Sequence, residues 1–303
     1  MDFNIEIYLD SLLEDVETIN VSDKDINFIP DLSKFKNLKI LYCDNNNLTS
    51  LPTFPEKLKY LYCAFNLLSF LPPLPENLEI LYCANNKLSF LPHLPKNLQK
   101  IYCAGNKLSS LPFLNKNLRS LICDRNQLTS LPPLNENLQL LYCDNNLLIS
   151  LPIFNEKLQL LNCSYNKITS LPHLNKNLQL LCCHNNQITY LPTFNENLIE
   201  VKCYKNKITS LPLMNINLKL LEYKYNPIHE IINSNDIYII NKRVKILNNF
   251  KYLYYCFKFK KKFRDLLWVR IREPKIRKRY SYEYLIENLP NEETDLDEVL
   301  NNW

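Results

Sequence analysis

The sequence predicts an α/β-type solenoid: a curved horseshoe with a parallel sheet on its concave side, an extended convex side and a helical C-terminal cap. Three observations predict it. The 303-residue chain aligns with itself in blocks of twenty, without a gap, from residue 38 to residue 231. Inside each block, apolar residues spaced two apart mark one face of a strand. A single Gly stands against 18 Pro. That balance excludes phosphate-cradling glycine loops and implies that most glycine-dependent turns are missing. With 46% hydrophobic and 22% charged residues, the chain can bury a core and is not disordered.

The strand comes first in each block. One block carries Leu78, Leu81, Cys83, Asn86, Leu88, Leu91, Pro92, Leu94 and Pro95, and the general spelling is LxxLxCxxNxLxxLPxLxxN. Cysteine recurs every twenty residues from Cys43 to Cys203, two after an aliphatic such as Leu41 or Leu81. Both point inward. A strand this short is unstable alone, so the coils stack as a parallel sheet with neighbours about 4.8 Å apart.

Asparagine follows, from Asn46 every twenty residues to Asn226. It sits where the chain leaves the strand and its peptide groups lose their ladder partners. A side-chain amide holds both donor and acceptor and can serve two coils at once, so the ten asparagines predict a structural ladder. Leucine or isoleucine at Leu48 through Ile228 and at Leu51 through Leu211 adds core. Pro52, Pro72 and their counterparts to Pro212 fix φ and forbid a helix on the return path. Twenty residues leave room for a strand and an extended return only.

At this point the spelling resembles the leucine-rich repeat family, and LPxLPxxLxxLxCxxNxL is similar to the short bacterial type found in secreted effectors of enteric pathogens. The resemblance covers about two thirds of the chain. It implies a horseshoe that binds partners on its concave face. Two departures stand out: cysteine replaces the usual strand valine or leucine, and the second Pro becomes Asn from Asn115 onward. The expected organisation is an N-terminal cap with a degenerate first repeat at 1–37, repeats of 20 residues at 38–231, and a basic then acidic, partly helical region at 232–303. In the first repeat Val16, Ile19, Val21, Ile26 and Ile29 keep the pattern, but Lys24 replaces the ladder Asn and two extra residues precede Leu38. Residues 1–15 are expected to shield the open edge.

Between the inward positions lie two outward columns. One reads Tyr42, Tyr62, Tyr82, Tyr102, Ile122, Tyr142, Asn162, Cys182, Lys202, Glu222; the other reads Asp44, Ala64, Ala84, Ala104, Asp124, Asp144, Ser164, His184, Tyr204, Lys224. A tyrosine ladder flanked by alanines makes an amphipathic strip of the kind enriched in interfaces. Tyr42, Tyr62, Tyr82, Tyr102 and Tyr142 with Asp44, Asp124 and Asp144 are therefore the candidate partner-binding residues. The plainer alternative is that in-register tyrosines only stabilise the sheet.

The net charge of +5 hides a polarised tail. Residues 242–280 hold fifteen Lys/Arg against two acids, and residues 281–303 hold seven acids and no Lys/Arg. Val244, Leu247, Phe250, Leu253, Tyr254 and Phe257 follow helical spacing, up to a break at Pro274. A helical cover for the last coil is the structural reading; a grip on nucleic acid or an anionic membrane surface is the functional alternative. The string Leu266 to Tyr280, followed by Asp295 to Trp303, resembles a C-terminal extension in proteins of giant amoeba-infecting DNA viruses. That resemblance implies a viral protein made in a host cytoplasm.

Catalysis and cofactors are not expected. Cysteines twenty apart and facing inward cannot bring four ligands to one point, so no metal is expected. In Cys182-Cys183-His184 alternate residues point opposite ways, which leaves only two outward ligands. His93 and His173 share one column position eighty residues apart. Bacterial members of this repeat type can carry a ubiquitin-ligase domain with a nucleophilic cysteine, but the tail here is short. Its sole cysteine, Cys256, has no histidine after it. No apolar run reaches a membrane span and the N-terminus lacks a basic secretion signal, so the expectation is a cytoplasmic, non-catalytic module of about eleven coils. Its protein partner, a host protein if the chain is viral, is not named by the sequence. The sequons at Asn20, Asn47 and Asn162 would then stay bare, and the odd total of 11 Cys would stay reduced.

Overall fold

A computed structural model describes residues 3–258 and 273–274. By its internal contacts the chain divides into two compact units, Met1–Val244 and Lys245–Trp303. The first unit opens with helix α1, Ile5–Ser11, whose N-terminus is capped by Asn4: its side chain accepts from the N–H of Glu6 and of Ile7. Ile5 and Leu9 form its buried face.

Eleven three-residue strands follow, one per coil, from β1 (Thr18–Asn20) and β2 (Ile40–Tyr42) every twenty residues to β11 (Leu220–Glu222). They pair in parallel in strict chain order. The register advances by twenty at each step, Leu41 opposite Leu61 and Leu61 opposite Leu81. Between β1 and β2 it advances by twenty-two, Ile19 opposite Leu41, so the two extra residues are absorbed before Leu38 without disturbing the ladder. Each central strand residue is buried, and Cys43 through Cys203 are sealed completely.

The asparagine ladder forms as expected. Asn86 Oδ1 accepts from Leu68 N–H of the preceding coil at 3.0 Å, while its Nδ2 donates to Cys63 O at 2.9 Å and to its own coil at Cys83 O. The pattern repeats to Asn226. In the first coil Lys24 stands at the ladder position, and Asn46 bonds the N–H groups of both Lys24 and Ile26.

Two features depart from expectation. Left-handed turns occur in every coil despite the shortage of glycine: Asn45, Phe65, Asn85, Arg125, Asn145, Tyr165, Asn185, Lys205 and Tyr225 all hold φ between 51° and 57°, with Gly105 at 65°. The cost of about 1 kcal/mol per residue is offset because each of these residues as far as Lys205 donates its N–H to the next coil, as Asn85 does to Ala104 O at 2.7 Å. The change from Pro to Asn at Asn115 also builds a second ladder. Asn135, Asn155, Asn175, Asn195 and Asn215 each donate Nδ2 to the residue twenty before, and accept from the N–H two residues on. These bonds tie the return segments together where proline, lacking an amide side chain, could only stiffen them.

The return segments contain neither helix nor strand among the described residues. After the last strand, helix α2 (Pro227–Ile232) starts with Pro at its first turn and ends at Asn233 in the left-handed conformation. Helix α3 runs Ile237–Lys258, beginning seven residues earlier than the spacing from Val244 indicates, because Asp236 caps it through the N–H of Tyr238 and Ile239. Ile228, Ile232, Ile240 and Val244 are buried, giving the last coil an apolar cover. Tyr223 takes the cysteine place there, and its hydroxyl donates to Ser234 O at 2.8 Å. The basic and acidic stretches beyond residue 258 and the Leu266–Tyr280 and Asp295–Trp303 strings lie outside the described residues, Glu273 and Pro274 excepted.

Candidate functional site

The parallel ladder sets the spacing of everything on the outward sheet face. Tyr42 and Tyr62 stack with ring centroids 4.7 Å apart, Tyr62 and Tyr82 at 5.1 Å, and Tyr82 and Tyr102 at 3.9 Å with planes 8° apart. Ile122 ends the stack, so Tyr142 stands apart from the other four. Burial first, and neighbouring tyrosines next, push the Tyr62 and Tyr82 hydroxyls above their ordinary range; they are neutral donors at physiological pH. With Ile40, Tyr60 and Ile80 on one side and Ala64, Ala84 and Ala104 on the other, the tyrosines form an amphipathic strip three side chains wide, half-buried along its length.

The three aspartates behave differently from one another. Asp44 accepts the Ala64 N–H at 2.8 Å and thereby closes the first step of the sheet face. Asp144 accepts from Asn145 Nδ2 at 2.8 Å and Asn162 Nδ2 at 2.9 Å. Asp124 has no hydrogen bond or ion pair to another described residue; burial first and Asp144 next hold its carboxyl above the ordinary value, against a bond from its own backbone N–H.

A polar relay runs along the same columns toward the C-terminus. Ser164 Oγ lies 2.8 Å from Asn162 Oδ1 and 2.9 Å from His184 Nδ1, and His184 stacks on Tyr204 at 4.2 Å. Asn162 turns its amide nitrogen to Asp144, so its oxygen takes the single Ser164 proton and His184 Nδ1–H must be the donor to Ser164. A buried serine whose proton points away from the imidazole is not an activated nucleophile. Reading along the chain groups His184 with Cys182 and Cys183; its true neighbours, Ser164 and Tyr204, appear only when columns twenty apart are compared. Cys182 does face outward and Cys183 inward, and burial pushes the Cys182 thiol up to about 11. No cluster of three or more His, Cys, Asp or Glu among the described residues is placed to hold a metal ion. None of the described helices is long and apolar enough to cross a membrane.

Beside the sheet face runs a polar groove of about 500 Å³ walled by Lys59, Asn77, Glu79, Asn97, Gln99, Asn117, Arg119 and Asn137. Asn77, Asn97, Asn117 and Asn137 each donate Nδ2 to a carbonyl twenty-one residues before, a third asparagine ladder. Lys59 pairs with Glu79 at 2.9 Å, and the Arg119 guanidinium has no ion pair among the described residues. This groove falls on columns that carry no fixed residue type except Asn, which is why the repeat rule does not single it out.

One strand per coil, an asparagine ladder at its exit and an extended return define a leucine-rich repeat solenoid, and solved structures agree. YopM from Yersinia enterocolitica superposes with a TM-score of 0.68 at 30% identity over 71% of this chain and 52% of that one. YopM of Yersinia pestis, a leucine-rich effector protein, gives 0.66 at 31% identity over 69% and 61%. The functional domain of InlJ from Listeria monocytogenes, which includes a cysteine ladder, gives 0.53 at 26% over 70% and 54%. The chain thus spans about half to three fifths of the length of the YopM proteins it matches. No protein-family model matches the chain, and no curated protein matches it.

Proposed function

We propose that the chain is a non-catalytic protein-binding module whose contact surface is the outward sheet face, with Tyr42, Tyr62, Tyr82, Tyr102 and Tyr142 as the apolar anchors and Asp124 as the free charge beside them. The observation that carries this reading is the stacked, half-exposed tyrosine strip: the rings are already ordered by the ladder, so a partner meets them without further loss of side-chain entropy. Asp44 and Asp144 belong to the surface but hold sheet groups as well, so their contribution is to shape it. Similarity to YopM, described for Yersinia pestis as an effector protein, supports an interaction role. The test is affinity capture from cytosol with the native chain and with Tyr62→Ala/Tyr82→Ala/Tyr102→Ala; identical partners at equal stability would sink the proposal.

The fifteen Lys/Arg within 242–280 support a second reading, attraction to nucleic acid or to an anionic membrane. Binding retained by the triple tyrosine variant and falling steeply with salt would favour it. The likeness of the tail strings to giant-virus extensions supports a viral chain acting in the host cytoplasm on a host protein, and cytosol of an amoebal host is accordingly the first source for the capture.

A further inference from the structure

The tyrosine column is broken at one place and then resumes. Tyr82 and Tyr102 stack at 3.9 Å, and the next ring is Tyr142, two sheet steps further on, with Ile122 between them in register with both. Two steps are about 10 Å. Ile122 has no ring to set there, so the outer part of the gap, beyond the reach of its short side chain, is the place of one missing ring. Tyr102, Ile122, Tyr142 and Asp124 are all only half-buried, which leaves the gap open to solvent. In the adjoining outward column Asp144 is tied to two asparagines, whereas Asp124 has no hydrogen bond or ion pair to another described residue, Arg125 included. Burial first, then Cys182, Asp144 and Asp124, raise the Tyr142 hydroxyl, so the free carboxylate and the far wall of the gap share one neighbourhood.

We infer that this gap receives an arginine of the partner, its guanidinium stacked in the place of the missing ring between Tyr102 and Tyr142 and hydrogen-bonded to Asp124. The inference rests on the reading of the outward sheet face as the contact surface and names the chemistry of its occupant. A cation midway between rings about 10 Å apart lies within about 6 Å of both ring centres, the range over which an aromatic face attracts it. A guanidinium is flat, like the ring it replaces, and offers paired N–H donors to one carboxylate; an ammonium does neither. Burial and Asp144 hold the Asp124 carboxyl above its ordinary value, and a cation beside it relieves that penalty. Across the gap Lys100 stands opposite Ser120 in register, with Arg119 preceding Ser120, and neither basic side chain has an ion pair among the described residues. Those two charges repel a second basic residue and attract an acid. The segment that fits therefore carries an arginine and, two residues away on the same side of an extended chain, a carboxylate.

The experiment titrates the full chain with a blocked peptide, Ser-Glu-Ser-Arg-Ser, up to about 20 mM, and follows the arginine methylene signals and the Tyr102 and Tyr142 ring signals by NMR. Stacking between two rings should move the methylene signals upfield and saturate with a Kd of about 1 mM. Ile122→Tyr completes the ladder with the residue its neighbours carry, so it should fold at least as stably and weaken binding roughly tenfold or more. Asp124→Asn, and lysine in place of the peptide's arginine, should each weaken it several-fold. No saturable shift, equal binding by Ile122→Tyr, or equal binding of the lysine peptide overturns the inference. Tyr62→Ala/Tyr82→Ala, which spares both walls of the gap, separates this inference from the wider reading. Cytosolic partners lost by that variant but kept by Ile122→Tyr would leave the contact surface standing and overturn the arginine slot. Peptide binding lost only in Ile122→Tyr, with partners unchanged in the tyrosine variant, would support the slot and sink the wider tyrosine surface.

Discussion

Removing Asn146 probes the claim that side-chain amides, more than the short strands, weld one coil to the next. Asn146 is 6% exposed. Its Oδ1 accepts from Leu128 N–H at 2.9 Å, and its Nδ2 donates to Cys123 O at 3.0 Å and to Cys143 O and Asp144 O at 3.2 Å. The carbonyls of Cys123 and Cys143 each keep a second amide donor, Asn126 and Asn166 respectively. Leu128 N–H has none. Asn146→Ala therefore orphans one buried donor, at about 2 kcal/mol, and loses shared bonds worth about 1–2 kcal/mol more, so the loss should be about 3–4 kcal/mol. Because coils contact only their neighbours, the damage sits at one interface and should broaden the urea transition as well as lower its midpoint. Asn146→Asp sharpens the test. It keeps the acceptor for Leu128 but aims a carboxylate oxygen at three carbonyls, so at pH 7 it should be worse than Ala. Its carboxyl would titrate above the ordinary aspartate value in the folded chain. The penalty is then complete above that folded pKa and disappears below the unfolded one, near 3.9, so the gap between the Asp and Ala variants should shrink as pH falls. Urea melts followed by far-ultraviolet circular dichroism at both pH values decide it. A loss under about 0.5 kcal/mol for Asn146→Ala, or an Asp variant no worse than Ala at neutral pH, would refute the reasoning.

Three other expectations concern single residues. Asp124→Asn should raise the melting midpoint at pH 7, since burial and Asp144 hold that carboxyl above its ordinary value; the advantage is fully present above the folded pKa and should vanish by about pH 3.5. In a Cys256→Ser chain, a thiol reagent should meet one slow thiol in the native state, Cys182, whose rate climbs with pH toward its value of about 11. The nine inward thiols should react only after unfolding, and prompt labelling of several would contradict their burial. Gly105→Ala should cost about 1–2 kcal/mol, because φ is +65° there and an added Cβ would press on Asn85 Oδ1. An unchanged thermal midpoint would show that the turn has slack.

The period of twenty was enough to place strands β2 to β11, every inward cysteine and the whole first asparagine ladder. Each of these rests on contacts between one coil and the next, and a repeat alignment shows which coils are neighbours in advance. The tyrosine column was legible for the same reason: Tyr42, Tyr62, Tyr82 and Tyr102 must stack once the strands do. The Asn115 change was visible as a departure from the pattern, but its use was not, since whether an amide reaches the carbonyl twenty residues back depends on the path of the return segment.

What the sequence determined by itself is therefore the solenoid and the identity of its faces. Tertiary structure alone decided which members of a face are free: Asp44 is tied to Ala64 N–H, Asp144 to two asparagines, and Asp124 to nothing among the described side chains. It also decided that His184 stands beside Ser164 and that Phe65 and Tyr165 accept left-handed turns. The physical reason is the same in each case. Periodicity reports which residues are neighbours, whereas hydrogen bonding depends on donor direction to within a few tens of degrees, and direction is set only when the coils are stacked.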